Sequence, residues 1–508
     1  MIGYESERLQ TEIMKKIIPP TIPTNFERIF HPRNIAIIGV SAESGSTGFG
    51  SGMYRAIKAM GFEGKIFPVN PKGGNLDGLP IYKQVEDIEE LVDFAIITVS
   101  AKHVPEVLEG CLKKGIEGAE IISSGFNELG DETGKELEKK IKQISAAGIR
   151  VIGPNCFGIY CPKSCLTLLP GPDLSRQSGL VAFISQSGGM AIDLALKGKW
   201  MGIRFSKVIS FGNGADLRET ELLQYLADDP ETKVICMYIE GIRDGDAFFE
   251  SIKYAAKTKP VIVCKGGLSL AGNRSVASHT ASMGGSRVIW QSVLRQVNAI
   301  QVQDLGELAE AALAFSLLPS GIYKRISVIG GGGALGVSAC DAAEILGIEI
   351  PPFSNEQQES IGKFLPKPGS SAINPIDVAN PFVSPQALKE ILLAAGKDSR
   401  VDLQIIVSLL YHYKVIATAM GFKVADVAPF RELADVIRDV VKTTGKPVVV
   451  VLPNPKKGLD DLDLAEMLVL ARSEFLERAL PVFDELPEAL RAIEHVNSYF
   501  EQRTNNHE

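Results

Sequence analysis

The histidine at position 279 has the clearest chemical potential in this chain. It lies in VASHTASMGG, residues 276–285, among small and hydroxylated residues and ahead of a glycine pair. No neighbour in sequence looks like a metal partner. An imidazole with a pKa of about 6.5 is substantially neutral at pH 7, so one ring nitrogen is free to attack phosphorus. A lone histidine on a loop is more often a surface or hydrogen-bonding residue, so the rest of the chain must decide between these interpretations.

A second feature is the loop ISQSGG, residues 184–189, which joins an apolar run to a helical pattern. Ser185, Gln186, Ser187 and Gly188 form its turn. Free N–H groups at the start of the following helix would favour a phosphoryl group or an oxyanion. The alternative interpretation is a serine N-cap without a ligand.

The first glycine-rich loop follows NIAIIGV, residues 34–40, and does not fit the dinucleotide fingerprint. A site for NAD expects an acidic residue at the end of the second strand, to bind the ribose hydroxyls. That strand instead ends in Val69-Asn70-Pro71-Lys72. The lysine favours a phosphorylated ribose, so both NADP and coenzyme A remain open.

Small polar groups follow other apolar runs, at Ser100 and at Ser123-Ser124-Gly125-Phe126. Ligands of open parallel sheets sit at the carboxyl ends of the strands, where these residues fall. The turn that holds Asn155 is either a binding loop or a plain turn. The glycines at 330–333 fit a phosphate site and tight packing equally well.

The elements that must position these groups are apolar runs with helical patterns between them. Such uniformly apolar runs are typical of strands buried on both faces, and their alternation with helices predicts doubly wound parallel sheets, an α/β fold. The runs are NIAIIGV (34–40), KIFPVN (65–70), FAIITVS (94–100), AEIISSGF (119–126), RVIG (150–153), GLVAFIS (179–185), RFSKVIS (204–210), KVICMYIE (233–240), KPVIVCK (259–265), KRISVIG (324–330), LQIIVSLL (403–410) and KPVVVVLP (446–453).

The pattern restarts twice, so the 508 residues predict three α/β domains after a short leader. We expect the leader at 1–25 and the domains at 26–160, 170–316 and 322–508. A helix is expected at 104–115 and another near 487–502.

Composition limits the function classes. The net charge of -8 argues against a general nucleic-acid surface. No apolar run reaches the length of a membrane helix, and the N-terminus does not resemble a signal peptide. The seven cysteines form no CxxC pair and indicate reduced thiols, so we expect a cytoplasmic protein.

Taken together, the motifs resemble those of ADP-forming acyl-CoA synthetases, the acetate–CoA ligase alpha subunits of the succinyl-CoA synthetase superfamily. The matching stretches are PVNPK (68–72), SSGF (123–126), IGPNCFGI (152–159), ISQSGG (184–189), FGNGAD (211–216), LADDPETKVICMYIEGIRDG (226–245), ASHTASMGG (277–285), GGGALGVSACDAAE (331–344) and INPIDV (373–378). The resemblance implies a Rossmann-like CoA-binding domain followed by two flavodoxin-like domains.

The resemblance also assigns residues. His279 matches the phosphorylated histidine of the family, and Glu240 the glutamate that pairs with it. Such a carboxylate would fix the tautomer of the imidazole. No metal ligand is implied on this chain. The implied phosphate-binding residues are Ser185, Gln186, Ser187 and Gly188, and the implied CoA contacts are Gly39, Ser41, Lys72, Ser100, Ser123, Gly125 and Asn155.

The implied reaction interconverts acyl-CoA, ADP and phosphate with a carboxylate, CoA and ATP, through an acyl phosphate and phosphohistidine 279. No stretch of roughly 200 residues remains for an ATP-grasp domain. We therefore expect a separate ATP-grasp beta subunit that holds ATP or ADP with Mg²⁺, in a hetero-oligomer. Ala281 stands where the family usually has glycine, which should slightly stiffen the loop.

Two other functions remain possible at this point. A non-catalytic regulatory or scaffold protein would bind CoA or acyl-CoA without phosphorylation. An NADP-dependent oxidoreductase would use the first domain, although it leaves the second and third domains without a role.

Overall fold

The computed structural model describes residues 24–42, 48–169, 171–280 and 286–505, without the side chains of residues 172, 276–280 and 505. Nearly all of the predicted leader, part of the first glycine loop and the His279 side chain lie outside the described residues. The chain divides into two compact units, Met1–Leu305 and Gly306–Glu508.

The first sheet has five parallel strands in the order β2-β1-β5-β6-β7. A small antiparallel hairpin, β3 and β4, lies beside it in sequence. The strands are β1 Asn34–Ile38, β2 Lys65–Val69, β3 Asn75–Leu76, β4 Leu79–Pro80, β5 Phe94–Ile97, β6 Gly118–Ile121 and β7 Arg150–Ile152. The helices are Phe26–Phe30, Phe49–Met60, Val104–Lys114 and Glu132–Ala146.

The second sheet has the order β13-β12-β11-β9-β10-β8, and only β8 runs antiparallel within it. The strands are β8 Gly158–Tyr160, β9 Val181–Ser185, β10 Phe205–Ser210, β11 Val234–Ile239, β12 Val261–Lys265 and β13 Ile300–Val302. The helices are Gly188–Met201, Glu219–Asp228, Gly245–Ala256, Leu270–Thr280 and Arg287–Gln296. Residues 158–160 form β8, which pairs with β10 at the edge of this sheet.

The second unit is built on a third parallel sheet in the order β15-β14-β16-β17-β18. The strands are β14 Ile326–Gly330, β15 Ile376–Asp377, β16 Leu403–Val407, β17 Val448–Val451 and β18 Val482–Phe483. The helices are Leu305–Leu317, Gly333–Ile345, Asn355–Gly362, Pro385–Gly396, Tyr413–Met420, Val424–Val427, Phe430–Thr444, Leu462–Glu477 and Leu486–Asn505. The first of these helices begins at the boundary between the two units, since Leu305 is the last residue of the first unit.

The predicted α/β class with parallel sheets is confirmed, because the apolar runs became strands buried on both faces. Strand β9, for example, is buried at all five positions. Within the described residues, no helix combines the length and apolarity needed to cross a membrane.

The five parallel strands of each sheet share one order. In each sheet, the first parallel strand lies between the second and the third. The chain therefore places its second strand on one side of the first strand and its third strand on the other side. At such a switch point the loops after the two neighbouring strands diverge and leave a crevice for a ligand. These crevices fall between β1 and β5, between β9 and β11, and between β14 and β16.

A partly buried ion pair fixes the first two sheets to each other within the first unit. Arg150, on β7, donates from Nε and Nη2 to the two carboxylate oxygens of Asp216, at 2.9 and 3.0 Å. The same carboxylate accepts from the Val151 N–H at 2.8 Å. The loop after β10 is therefore held along the edge of the first sheet.

Among the described side chains of the first unit, Lys207 is a fully buried cation. Its side chain is 0% exposed, and its ammonium donates to Asp229 at 2.9 Å and Glu231 at 2.8 Å. The ammonium also lies 5.9 Å from the ring centre of Phe30 and 5.7 Å from that of Tyr225. Removal of the lysine would leave a buried carboxylate without its cation.

We therefore expect Lys207→Met to lower the free energy of unfolding by about 3–5 kcal/mol, the cost of breaking a buried ion pair from one side. Lys135→Met is the matched control, because Lys135 pairs with Glu132 at 2.8 Å on an exposed helix face. That change should cost no more than about 0.5 kcal/mol. Urea unfolding followed by circular dichroism measures both, and equal effects would contradict the assignment.

Candidate functional site

A cavity of about 540 Å³ lies in the first unit where the carboxyl ends of the first two sheets meet. The first sheet contributes the residues after β5 and β6, and the second sheet the residues after β9 and β11. Predicted site residues on its wall are Ser100, Ser123, Asn155, Gln186, Ser187, Gly188 and Glu240. The structure thus brings together groups that are up to 140 positions apart in sequence.

The helix Gly188–Met201 starts at the cavity, as the sequence predicted. Ser187 is its N-cap, and its hydroxyl oxygen accepts from the Met190 N–H at 3.4 Å. The N–H groups of Gly188 and Gly189 have no partner among the described residues. They give this wall a positive end that suits an oxyanion.

Ser185 has a different position from its neighbours in the loop. It is 0% exposed, and its hydroxyl donates to the Ser187 carbonyl at 2.6 Å. It does not line the cavity. Ser185 therefore stabilises the loop from the inside, while Ser187 and Gly188 face the cavity.

Glu240 follows β11, directly across the switch point from this loop. Its backbone N–H and that of Gly241 both donate to Oε1 of Gln186, at 2.9 and 3.0 Å. Its carboxylate accepts from the Tyr238 hydroxyl at 3.2 Å. Gln186 therefore fixes the backbone of Glu240, while the carboxylate reaches the cavity.

A lysine for which the sequence indicated no role contacts the backbone of Glu240. Lys265, at the end of β12, is 5% exposed and donates to the Glu240 carbonyl at 2.7 Å and to the Gly266 carbonyl. Its ammonium lies 5.2 Å from the ring centre of Trp290. Burial lowers the pKa of Lys265 to about 8, and the nearby Glu240 charge opposes that shift. The only signal in the sequence was a lysine that closes an apolar run.

A polar network connects the two sheets on another side of the cavity. Asn155 donates to the side-chain oxygen of Asn213 at 3.3 Å, and Asn213 donates to Glu128 at 2.6 Å. The other oxygen of Glu128 accepts from the Gly125 N–H at 2.5 Å. Gly125 is thus held by this network outside the cavity wall, whereas Asn155 lies on the wall.

The remaining predicted CoA contacts lie at the neighbouring switch point, outside the cavity wall. Gly39 follows β1 with φ +104°, and a Cβ there would overlap Thr98. The Ser41 N–H donates to the Ser51 hydroxyl at 3.0 Å, at the start of helix Phe49–Met60. Lys72 is exposed beyond the end of β2.

Two aromatic side chains also lie on the cavity wall, and one of them, Phe157, belongs to the stretch IGPNCFGI (152–159). Phe49 and Phe157 lie with ring centres 6.4 Å apart, and Phe49 is 51% exposed. Phe157 also packs against the helix start so closely that a Cβ at Gly188 would overlap its ring. Among the described side chains, no group of three or more His, Cys, Asp or Glu is arranged to hold a metal ion.

Two protein-family models match the two parts of the chain that form this site. A family model described as a succinyl-CoA ligase like flavodoxin domain matches residues 178–315, and a CoA binding domain model matches residues 33–162. The ADP-forming acetate–CoA ligase I subunit alpha of Pyrococcus furiosus is 34% identical over 479 residues, which cover 92% of this chain and 96% of the relative.

Other relatives differ in length. The ADP-forming acetate–CoA ligase II subunit alpha of Pyrococcus furiosus is 38% identical over 353 residues, covering 69% of this chain and 75% of the relative. The ADP-forming acetate–CoA ligase of Methanocaldococcus jannaschii is 37% identical over 351 residues, covering 69% of this chain but 48% of the relative.

A solved structure has a similar fold along nearly the whole length of this chain. It is the dinucleotide forming acetyl-coenzyme A synthetase 1 of Ca. Korarchaeum cryptofilum, in complex with phosphate and ADP. Its TM-score is 0.79 at 31% identity, and the match covers 95% of this chain and 98% of that chain.

The buried lysine predicts a pH dependence of stability. Because the pKa of Lys265 is about 8 in the folded chain and 10.5 ordinarily, the folded chain must bury an ammonium below pH 8. Between these values the folded chain releases a proton that the unfolded chain keeps, so stability should rise with pH. The thermal stability of the wild type relative to Lys265→Met should therefore increase from pH 7 to pH 9.5. A constant difference would contradict it, since lost hydrogen bonds alone do not depend on pH.

The contact between Phe157 and Gly188 predicts that alanine lowers the free energy of unfolding at 188 but not at the adjacent position 189. Gly188→Ala should cost about 1–3 kcal/mol through overpacking and lower the melting temperature by several degrees. Gly189→Ala is the matched control, because the nearest atom to a Cβ there is 4.0 Å away. Scanning fluorimetry compares the two, and equal melting temperatures would show that the Phe157 ring moves aside without cost.

Proposed function

Because the chain belongs to the family of ADP-forming acetate–CoA ligase alpha subunits, we propose that its cavity makes and breaks acyl-CoA. The protein is an ADP-forming acid–thiol ligase chain, which interconverts acyl-CoA, ADP and phosphate with a carboxylate, CoA and ATP. The observation that carries the assignment is the arrangement of Glu240 and the helix start after Ser187 on one cavity, which the CoA-binding domain closes from the other side.

In the first step, phosphate bound at the N–H groups of Gly188 and Gly189 attacks the thioester carbonyl of acyl-CoA. A phosphate oxygen forms a bond to the carbonyl carbon, and the carbon–sulfur bond breaks. CoA leaves as a thiolate that takes up a proton, and an acyl phosphate remains. The positive helix end lies where the negative charge must stay through the step.

In the second step, a ring nitrogen of His279 attacks the phosphorus of the acyl phosphate. The bond between phosphorus and the acyl oxygen breaks, and the carboxylate leaves. The other ring nitrogen donates its hydrogen to Glu240, which keeps the attacking nitrogen free of a proton. The backbone hydrogen bonds from Glu240 and Gly241 to Gln186 hold this carboxylate in place.

We assign the CoA contacts to two places. Ser100, Ser123 and Asn155 line the cavity and would contact the thioester end of CoA. Gly39, Ser41 and Lys72 lie at the switch point of the first sheet and would contact its phosphate groups, while Gly125 shapes the loop between the two places.

The third step takes place on a partner. We propose an ATP-grasp beta subunit that holds ADP with Mg²⁺, receives the phosphoryl group from phosphohistidine 279 and forms a cytoplasmic hetero-oligomer with this chain. The two Pyrococcus furiosus relatives are named as alpha subunits, and this chain spans about half the length of the Methanocaldococcus jannaschii relative.

Incubation of the purified chain with radiolabelled phosphate and acetyl-CoA should label His279, because the first two steps need no nucleotide. The label should be stable to base and labile to acid. His279→Ala should abolish it, and Glu240→Gln should slow it on the order of 10²-fold or more, as for loss of a general-base partner. His103→Ala, an exposed histidine in the same unit, is the control and should label normally.

A non-catalytic CoA-binding protein would give a different result. It would bind CoA with no label on any histidine, and His279→Ala would then leave every measured property unchanged. That result would overturn the proposed reaction while the family and fold remained.

A further inference from the structure

A second, smaller cavity of about 220 Å³ lies in the first unit beside the backbone that follows Glu240. It shares no described lining residue with the main cavity. Its one charged lining residue among those described is Lys265, and the others are glycines and apolar side chains. These apolar side chains are Ile242, Phe248, Phe249, Ile289, Trp290 and Val293. Ile289 is 64% exposed, so a small molecule can enter from that side.

The ammonium of Lys265 is nearly buried, yet its hydrogen-bond acceptors among the described residues are two backbone carbonyls. The nearby Glu240 carboxylate accepts from the Tyr238 hydroxyl instead. An ammonium has three N–H donors, so one remains after the two carbonyls. The ammonium also lies 5.2 Å from the ring centre of Trp290, on the wall of the cavity. A positive charge therefore borders this cavity without a bonded anion among the described residues.

Lys207 shows how the same unit treats a buried cation that has counter-ions. Burial acts to lower the pKa of Lys207, but its hydrogen bonds to Glu231 and Asp229 raise that pKa overall. Burial lowers the pKa of Lys265 to about 8, and the Glu240 charge opposes the shift without reversing it. Buried charges in proteins are normally paired. An anion that entered the small cavity would therefore supply what Lys265 lacks.

The lining indicates which kind of anion fits. A phosphate would lose its water against apolar side chains that offer it no hydrogen bonds. A carboxylate with an apolar tail can instead place its charge at Lys265 and its tail against the rings of Phe248 and Trp290, whose centres are 5.7 Å apart. The volume is below the roughly 300–1,000 Å³ of sites for drug-sized ligands, so the tail must be short.

We propose that this cavity binds a small monocarboxylate with a short apolar tail, whose carboxylate pairs with Lys265 and whose tail packs against Phe248 and Trp290. The site lies outside the cavity of the ligase reaction and contacts it through the Glu240 backbone. The inference does not use the proposed reaction, so the two can be tested separately.

Trp290 makes the site measurable, because the chain has two tryptophans and Trp200 can be replaced. In the full chain with Trp200→Phe, isovalerate at pH 7 should change the Trp290 fluorescence in a saturable way. Isovaleramide has the same tail without the charge, and it should bind on the order of 10-fold or more weakly, as for a lost charge-assisted hydrogen bond. Acetate lacks three carbons of the tail and should bind on the order of 10–100-fold more weakly, as for the loss of that much buried apolar surface.

Two substitutions test the two parts of the site. Lys265→Met removes the charge, and Val293→Phe fills the cavity while it leaves the ammonium in place. Both should abolish the response to isovalerate. Val293 is only half-buried, so the larger ring should not prevent folding, which circular dichroism checks. Lys253→Met is the matched control, because it removes an exposed lysine from the helix that carries Phe248, and it should bind isovalerate normally.

The outcomes are distinct. Saturable binding that needs both the charge at 265 and the open cavity at 293 would support the inference. A response that survives in either variant would place isovalerate elsewhere and overturn it, as would equal affinity for isovalerate and its amide. If a carboxylate side chain of this chain or of a partner already fills the cavity, isovalerate will cause no change, and the inference fails. Absence of label on His279 would contradict the proposed reaction but leave this site standing.

Discussion

The ion pair between Arg150 and Asp216 is the interaction on which the cavity depends. Each of the first two sheets lines only one side of the cavity. The three hydrogen bonds that Asp216 accepts from Arg150 and Val151 hold the loop after β10 along the first sheet. The Leu217 N–H continues the contact by donating to the Val151 carbonyl at 3.0 Å. Because the loop after β10 is held in place, the carboxyl ends of β5, β6, β9 and β11 can line one cavity.

The shared strand order explains why chemistry collects at these places. Each sheet returns past its first strand, and this opens a crevice at the carboxyl edge where helix starts point inward. In the first unit, the first sheet brings glycines and small polar groups to its crevice, and the second brings Ser187 and Glu240. The sheets therefore hold the loops in position, and a few loop residues provide the functional groups.

The sequence predicted the strands well because the signal for a strand buried on both faces is strong. Some strands of two or three residues, such as β8 and β15, were missed because so short an element has little pattern of its own, although the three-residue β7 was predicted as part of RVIG. Lys265 and Gln186 show a second limit. Their roles depend on which backbone groups lie beside them after β9, β11 and β12 have paired, and no spacing along the chain records that register. Ser185 looked like its neighbours in sequence, but it is the last residue of β9, and its hydroxyl turns into the loop.

The contact between Phe157 and Gly188 has a consequence for how such proteins can diverge. One residue belongs to the turn between the two sheets and the other to the start of a helix, yet a Cβ at 188 has room only if the ring at 157 moves or is replaced. Substitutions at these two positions are therefore not independent events. A lineage that first replaced the ring at 157 could acquire a side chain at 188 without this packing cost, so the order of the two substitutions affects which variants of the cavity selection can reach.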